Sequence, residues 1–392
     1  MASIKRVLAA PAWGGYWCED WEALRREPLP AAERYGAKPR SAGFQRVREP
    51  AEALSVGLVL DDGRVAWGDC VGAARPGLAG REPPFRSEAG RASIQHVVAP
   101  MLEGRDLSAF RELAAEVDAS RETVEVSRPI ASPAGKGVSR RDFLVAPARL
   151  LGVEERREEP GPMETVMEER RLHGALRYGV SQALLAGVAL ARGISMAEVI
   201  AAEWGLPAPQ ALIPIHAQLE GEPHEGADRA IARRVASLPG APLGDLAHKG
   251  EAGVAELMRY LRWLVDRIRA MGDPSYQPAI HLDLRGALGV IRGDNLGRIL
   301  GDFYGLQNIA APLTLRLESP MVLKSRGAQM EALKTLREYV GLRKMNVKLV
   351  ADEWVNSLED VKAFIAGRAA DMIQIVPPAL GSLHNAVDAV LA

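Results

Sequence analysis

Three apolar segments in the second half of the chain each end on one carboxylate: Ala279-Ile-His-Leu-Asp283, Leu313-Thr-Leu-Arg-Leu-Glu318 and Lys348-Leu-Val-Ala-Asp352. The acids are 35 and then 34 residues apart. A strand plus its helix takes roughly 30 residues in a (β/α)8 barrel of about 250. The spacing therefore puts the acids on three successive parallel strands, each at the C-terminal end, where such barrels carry their chemistry. Carboxylates gathered there repel one another, so they hold protons or share a cation. A hard divalent ion with oxygen ligands, most simply Mg2+, answers that need. Taken singly, each acid could instead cap the helix behind its strand or pair with Arg285 or Arg316. Matching positions at matching spacing favour the shared cation.

The alternation of side chains along a strand extends the candidate site. His281 and Arg316 stand two residues before an acid and share its face, as groups that orient the acids or as a buried structural pair. In Ile213-Pro-Ile-His-Ala-Gln218, His216 and Gln218 share one face. A histidine there is either a base near neutral pH or a hydrogen-bonded part of the barrel wall.

The elements that must hold these residues begin after Pro207. Strands are expected at Ala211 to Gln218, near Ala236 to Leu238, on the three acid-ended segments and at Met372-Ile-Gln-Ile-Val376, with helices between, including Gly253 to Met271 and Ser382 to Ala392. Parallel βα alternation of this kind is a barrel signature. Six strands are legible where eight close a barrel. The fold expected is an α/β barrel incomplete by two strands: either this is a fragment, or another polypeptide or subunit supplies the missing strands.

Upstream, Arg6 to Leu8, Leu54 to Leu60 and Val65 to Asp69 read as short strands, the last two joined by Asp61-Asp-Gly63 as a hairpin turn. Trp13 to Phe44, rich in Gly, Pro and charge, reads as a long loop. Ala92 to Leu102 and Leu107 to Val117 have helical periodicity, as do Glu168 to Arg192 and Met196 to Trp204. The expected domains are an α+β cap over 1–120, an insertion over 121–167 and the barrel over 168–392.

Lys and Arg number 49 against 50 Asp and Glu, a net charge of -1, which gives no electrostatic reason to expect nucleic acid or an anionic membrane. Two cysteines in 392 residues, Cys18 and Cys70, are too few for a disulfide framework and fit a cytoplasmic setting. No apolar run is long enough to span a bilayer.

A cap joined to a barrel with acids ending its third, fourth and fifth strands resembles the enolase superfamily. The chain is similar to the methylaspartate ammonia-lyase family through Gly43-Phe-Gln-Arg-Val-Arg48, Asp61-Asp-Gly-Arg-Val-Ala-Trp-Gly-Asp-Cys70, Arg171-Leu-His-Gly-Ala-Leu-Arg-Tyr-Gly179, Leu349-Val-Ala-Asp-Glu-Trp354 and Met372-Ile-Gln-Ile375. That resemblance implies Mg2+-dependent elimination of ammonia from 3-methylaspartate, with Asp283, Glu318 and Asp352 as metal ligands and Gln218 and Gln374 on the substrate. It also implies a lysine two residues after Gln374 and a histidine after Leu238-Pro239, where this chain has Val376 and Gly240, and a third glutamine at Ala74. Neither Val nor Gly can carry a proton, so the expectation divides. One branch is a lyase with an altered base, for which His216 is the candidate, acting on a small amino acid and assembling as a homo-oligomer. The other is a non-catalytic paralogue serving as a structural or regulatory subunit.

Overall fold

The computed structural model describes residues 2–26, 29, 32–129, 163–207, 211–217, 223–239 and 246–392. They form two compact units, residues 1–118 with 173–392, and residues 119–172.

The larger unit opens with an antiparallel sheet in the order β1-β2-β3, from β1 (Ile4–Glu19), β2 (Arg48–Leu60) and β3 (Val65–Val71). The Asp61-Asp-Gly63 turn joins β2 to β3 as expected, Gly63 taking a φ of 86°. The first strand is longer than its local sequence implies, because pairing with β2 carries it on through Trp13 to Glu19. The ladder slips between Trp13 and Trp17, which absorbs Gly14 and Gly15, and Pro11 is tolerated because β1 is an edge. Part of the segment read as a loop is therefore strand, followed by helix α1 (Trp21–Arg26). Helices α2 (Ser87–Ser93), α3 (Ala99–Leu102) and α4 (Phe110–Ala119) follow β3, a π-helical turn at Ile94–Val98 linking the first two.

The smaller unit is an antiparallel ribbon of β4 (Arg121–Pro129) and β5 (Met163–Arg171), in register from Arg121 opposite Arg171 to Pro129 opposite Met163. The remainder of the expected insertion lies outside the described residues. The ribbon also takes residues 168–171, which periodicity had assigned to a helix; α5 (Gly174–Arg192) starts after His173, whose Nδ1 accepts from the Ala175 N–H. Sheet pairing along the whole of Arg121–Pro129 outweighs the weak helical signal there.

Helix α5 lies on the cap sheet at very short range. A Cβ at Gly179 would come within 2.4 Å of the Cys70 nitrogen, and one at Gly68 within 2.1 Å of the Gly179 carbonyl. Both positions require glycine because two backbones touch there. Then come α6 (Met196–Trp204), α7 (Pro223–Ala232), β6 (Ser237–Pro239), α8 (Leu246–Met271), β7 (Ala279–Asp283), α9 (Ala287–Arg292), α10 (Leu296–Ala310), β8 (Leu315–Glu318), α11 (Arg326–Leu342), β9 (Val347–Ala351), α12 (Leu358–Ala366), β10 (Met372–Ile373), α13 (Pro377–Leu380) and α14 (Leu383–Leu391). Helix α8 breaks at Gly250, whose φ of 53° and ψ of -130° are not helical.

The five strands pair in parallel in the order β10-β9-β8-β7-β6, and a bridge from His216 to Ser237 adds the first segment of the alternation. Five of the six expected strand positions are thus strands in sequence order, the sixth shorter than read, while the first, Ala211 to Gln218, is represented among the described residues by the His216 bridge alone. Ile280, Leu282, Leu315, Leu317, Val347, Leu349 and Ala351 are buried on one face of this sheet, with Phe303, Leu306, Leu333, Leu336 and Phe364 of the surrounding helices in the same core. The alternate face is polar, and it carries the site. Among the described residues no single helix is long and apolar enough to cross a membrane. Cys18 and Cys70 are buried and free.

Candidate functional site

Strand register decides what meets what. Asp283 pairs with Glu318 across β7 and β8, and Glu318 pairs with Val350 across β8 and β9. Asp352 follows two residues after Val350, so it keeps the face of the other two acids. The chain turns sharply behind each of them, with left-handed backbone at Arg285 (φ 49°), Ser319 (φ 46°) and Trp354 (φ 68°). Such conformations cost on the order of 1–3 kcal/mol each in residues other than glycine and cluster at functional sites. Backbone bonds from the Leu284 N–H to the Glu318 carbonyl (2.9 Å) and from the Ser319 N–H to the Val350 carbonyl (3.3 Å) hold the turns in line.

The three acids have different surroundings. Asp283 accepts from the Arg285 N–H (3.1 Å) and lies 3.4 Å from Arg285 Nε, so the local pairing weighed against the cation is made. Glu318 is buried and its Oε2 stands 2.6 Å from His281 Nε2. Burial raises the Glu318 pKa, with the charges of Asp283 and Asp352 in the same direction and His281 opposing. Arg316 makes no ion pair with Glu318; its closest role is electrostatic, as one of the groups acting on His216.

Asp352 is buried among guanidinium groups that reach it from the cap. Arg75 Nη2 is 2.7 Å from Asp352 Oδ2 and 3.7 Å from Asp283 Oδ2, and its Nη1 is 2.9 Å from Glu353 Oε1. Arg81 repeats the fork, with Nη2 2.9 Å from Asp352 Oδ2 and Nη1 3.0 Å from Glu353 Oε2. Burial disfavours the Arg75 charge, but Glu353, Asp283, Asp352 and Glu318 outweigh it and hold the guanidinium protonated. The loop carrying both arginines is seated on the barrel by Asn356, which donates to the Ala79 carbonyl (2.7 Å), and by Trp354, which packs against Gly80.

His216 Nδ1 lies 2.9 Å from Ser237 Oγ, and its ring is 5.1 Å from that of His281. Desolvation, then His281 and Arg316, push its pKa down to about 4. Although the residue is exposed to solvent, the ring is neutral at pH 7. Gln374 follows β10 with its N–H on the Ala351 carbonyl (2.8 Å) and an exposed side chain. Val376 precedes α13 and offers no titratable group. Gln218 and Gly240 lie outside the described residues.

Among the described residues no three His, Cys, Asp or Glu side chains are drawn close enough together to hold an ion. The guanidinium of Arg75 bridges Asp283 and Asp352 instead. The donor set nevertheless fits a hard divalent ion, on two grounds. All three side chains offer carboxylate oxygens, the ligands Mg2+ takes, and Asp352 Oδ1 is buried without a hydrogen-bond partner. An unsatisfied buried carboxylate oxygen is costly, and a cation beside it removes the cost.

Three residues of this cluster were invisible to strand periodicity: Arg75, Arg81 and Glu353. The arginines sit on a loop of the other domain, and pairings such as Arg75 with Asp352 span 277 residues. The available signal was Glu353 itself, an acid next to Asp352 that needed a cation once buried.

Comparison with known proteins covers nearly the whole chain. The methylaspartate ammonia-lyase N-terminal family matches residues 2–205 and its C-terminal family matches residues 208–392. Methylaspartate ammonia-lyase 2 of Carboxydothermus hydrogenoformans is 35% identical over 385 residues, covering 98% of this chain and 82% of the relative. The solved methylaspartate ammonia lyase of Citrobacter amalonaticus containing (2S,3S)-3-methylaspartic acid superposes with a TM-score of 0.80 at 30% identity, over 99% of this chain and 84% of that one. The Mg complex of β-methylaspartase from Clostridium tetanomorphum superposes with a TM-score of 0.75 at 32% identity, over 99% and 83%. With both family halves matched across the capped barrel, the chain belongs to the methylaspartate ammonia-lyase family.

Proposed function

We propose that this chain is a Mg2+-dependent carbon–nitrogen lyase that eliminates ammonia from 3-methylaspartate or a related amino acid, with a base other than the family lysine. One observation carries the reading: three carboxylates ending adjacent parallel strands, with a buried oxygen of Asp352 left without a partner. Asp283, Glu318 and Asp352 would hold the ion. When bound, Mg2+ supplies positive charge to the substrate carboxylate on which negative charge develops.

The rest is work for this chain's own residues. In the elimination the C–H bond α to a carboxylate breaks, its electrons form the double bond, and the C–N bond breaks to release ammonia. His216, neutral at pH 7 and fixed through Nδ1 by Ser237, is the candidate to take the proton on Nε2. Its low basicity makes it a slow base, since general base catalysis works best with a pKa near the working pH. His281 orients Glu318 by sharing a proton across 2.6 Å. Gln218 and Gln374 are the substrate-contacting amides of this reading. Free buried cysteines are compatible with a reducing, cytoplasmic location. Assembly as a homo-oligomer belongs to the same reading.

A second reading is a non-catalytic paralogue serving as a structural or regulatory subunit, which Val376 and the guanidinium beside the acids support. One experiment separates the two. Purified protein with Mg2+ is offered a panel of 3-substituted aspartates, and the absorbance of an unsaturated dicarboxylate is followed. The lyase reading expects product that chelator and Asp283→Ala both abolish. Absence of product across the panel, with a second polypeptide co-purifying, would establish the subunit.

A further inference from the structure

We propose that Arg75 is a tethered cation that competes with a divalent ion for the carboxylate cluster, so that metal binds only as this guanidinium swings aside. The inference rests on the reading that Asp283, Glu318 and Asp352 bind such an ion.

The two arginines over the cluster are not equivalent. Both bridge Asp352 and Glu353, but only Arg75 also reaches Asp283, at 3.7 Å. The Arg81 side chain is 3% exposed and the Arg75 side chain 15%. Arg81 holds both carboxylates by its own fork, so neither is stripped of a partner when Arg75 leaves. Asp352 would then offer both the oxygen that Arg75 releases in part and its unpartnered Oδ1. A guanidinium and a divalent ion on the same oxygens repel each other, so each weakens the other's binding. Arg75 stands on a left-handed backbone (φ 57°) in a loop pinned by the Asn356 bond, which fixes where the side chain starts, so only its side-chain torsions need change for the guanidinium to leave the acids.

The test is Mn2+ titration followed by electron paramagnetic resonance on the full chain, Arg75→Gln and Asp283→Asn. Arg75→Gln should bind Mn2+ about tenfold tighter or more, and Asp283→Asn should bind it more weakly than the unaltered chain. Equal affinity in the unaltered chain and Arg75→Gln, with binding still weakened in Asp283→Asn, overturns the role of Arg75 and spares the metal site. No Mn2+ binding in any of the three overturns the metal site and this inference with it. A second measurement needs no variant: phenylglyoxal modification mapped by peptide mass spectrometry. Saturating Mn2+ should increase modification of Arg75 and leave Arg81 protected; unchanged or reduced modification of Arg75 overturns the proposal.

Discussion

His281 Nε2 and Glu318 Oε2 stand 2.6 Å apart across neighbouring parallel strands, within hydrogen-bond distance, the Glu318 side chain 9% exposed and that of His281 13%. Burial, with the charges of Asp283 and Asp352, raises the Glu318 pKa, so this bond keeps the carboxylate oriented in a place that resists its charge. Replacing His281 by Phe removes the bond and leaves a buried acid unpaired. The expected loss is about 2 kcal/mol, the range for hydrogen bonds to charged groups. Urea unfolding measures it; a change under 0.5 kcal/mol, roughly the scatter of neutral surface changes, would show the bond to be incidental.

Arg81→Ala should be worse. Its side chain is almost wholly enclosed and pairs with Asp352 and Glu353, so truncation leaves two buried acids to Arg75 alone. Removing one partner of a buried pair typically costs about 3–5 kcal/mol. Denaturant unfolding at fixed pH should show that loss, and a milder one for Arg75→Gln, since Arg81 remains.

The cap packing makes an independent prediction. Gly179→Ala would drive a methyl to within 2.4 Å of the Cys70 nitrogen, a backbone atom that cannot turn away. Overpacking costs about 1–3 kcal/mol and occasionally more. A fall in thermal midpoint checks it, and Gly63→Ala is the control because nothing lies within 4 Å there and only its positive φ is at stake.

The pH dependence of His216 has a definite sign. Its folded pKa is lowered to about 4 from an ordinary value of 6.5, so the unfolded chain binds the extra proton first. Its contribution to stability is complete above 6.5 and is lost as pH falls from there through about 4. Comparing the unaltered chain with His216→Asn over that range isolates the effect. A histidine resonance titrating near 6.5 and vanishing in the variant would contradict it.

Much of the barrel was legible, and the reason is local. Acid-ended apolar runs at a constant repeat betray strands because the strand, its turn and its helix are each encoded nearby. The late end of β1, Trp13 to Glu19, and the Glu168–Arg171 stretch were misread because pairing with a distant strand decided them. The acids were readable singly. Arg285 and His281, close to the acids in sequence or one strand face away, were readable too, but the cap partners were not: no local pattern announces that a cap loop delivers Arg75 and Arg81 to Asp352.

Restoring chemistry is a stronger test of family membership than removing it. Val376→Lys places an amine where the family resemblance expects the catalytic lysine. General base catalysis typically contributes 10²- to 10⁴-fold, so the rate of ammonia release from 3-methylaspartate should rise by roughly that factor. An unchanged rate in a folded variant would mean that position 376 does not face the substrate.

The central claim is that Asp283, Glu318 and Asp352 share one divalent ion. The most direct measurement is anomalous diffraction from crystals grown with Mn2+. A peak bounded by oxygens of all three side chains, with the Arg75 guanidinium turned away from Asp283, is the result expected. Crystals saturated with Mn2+ that show Arg75 still bridging Asp283 and Asp352, and no peak between them, would contradict it.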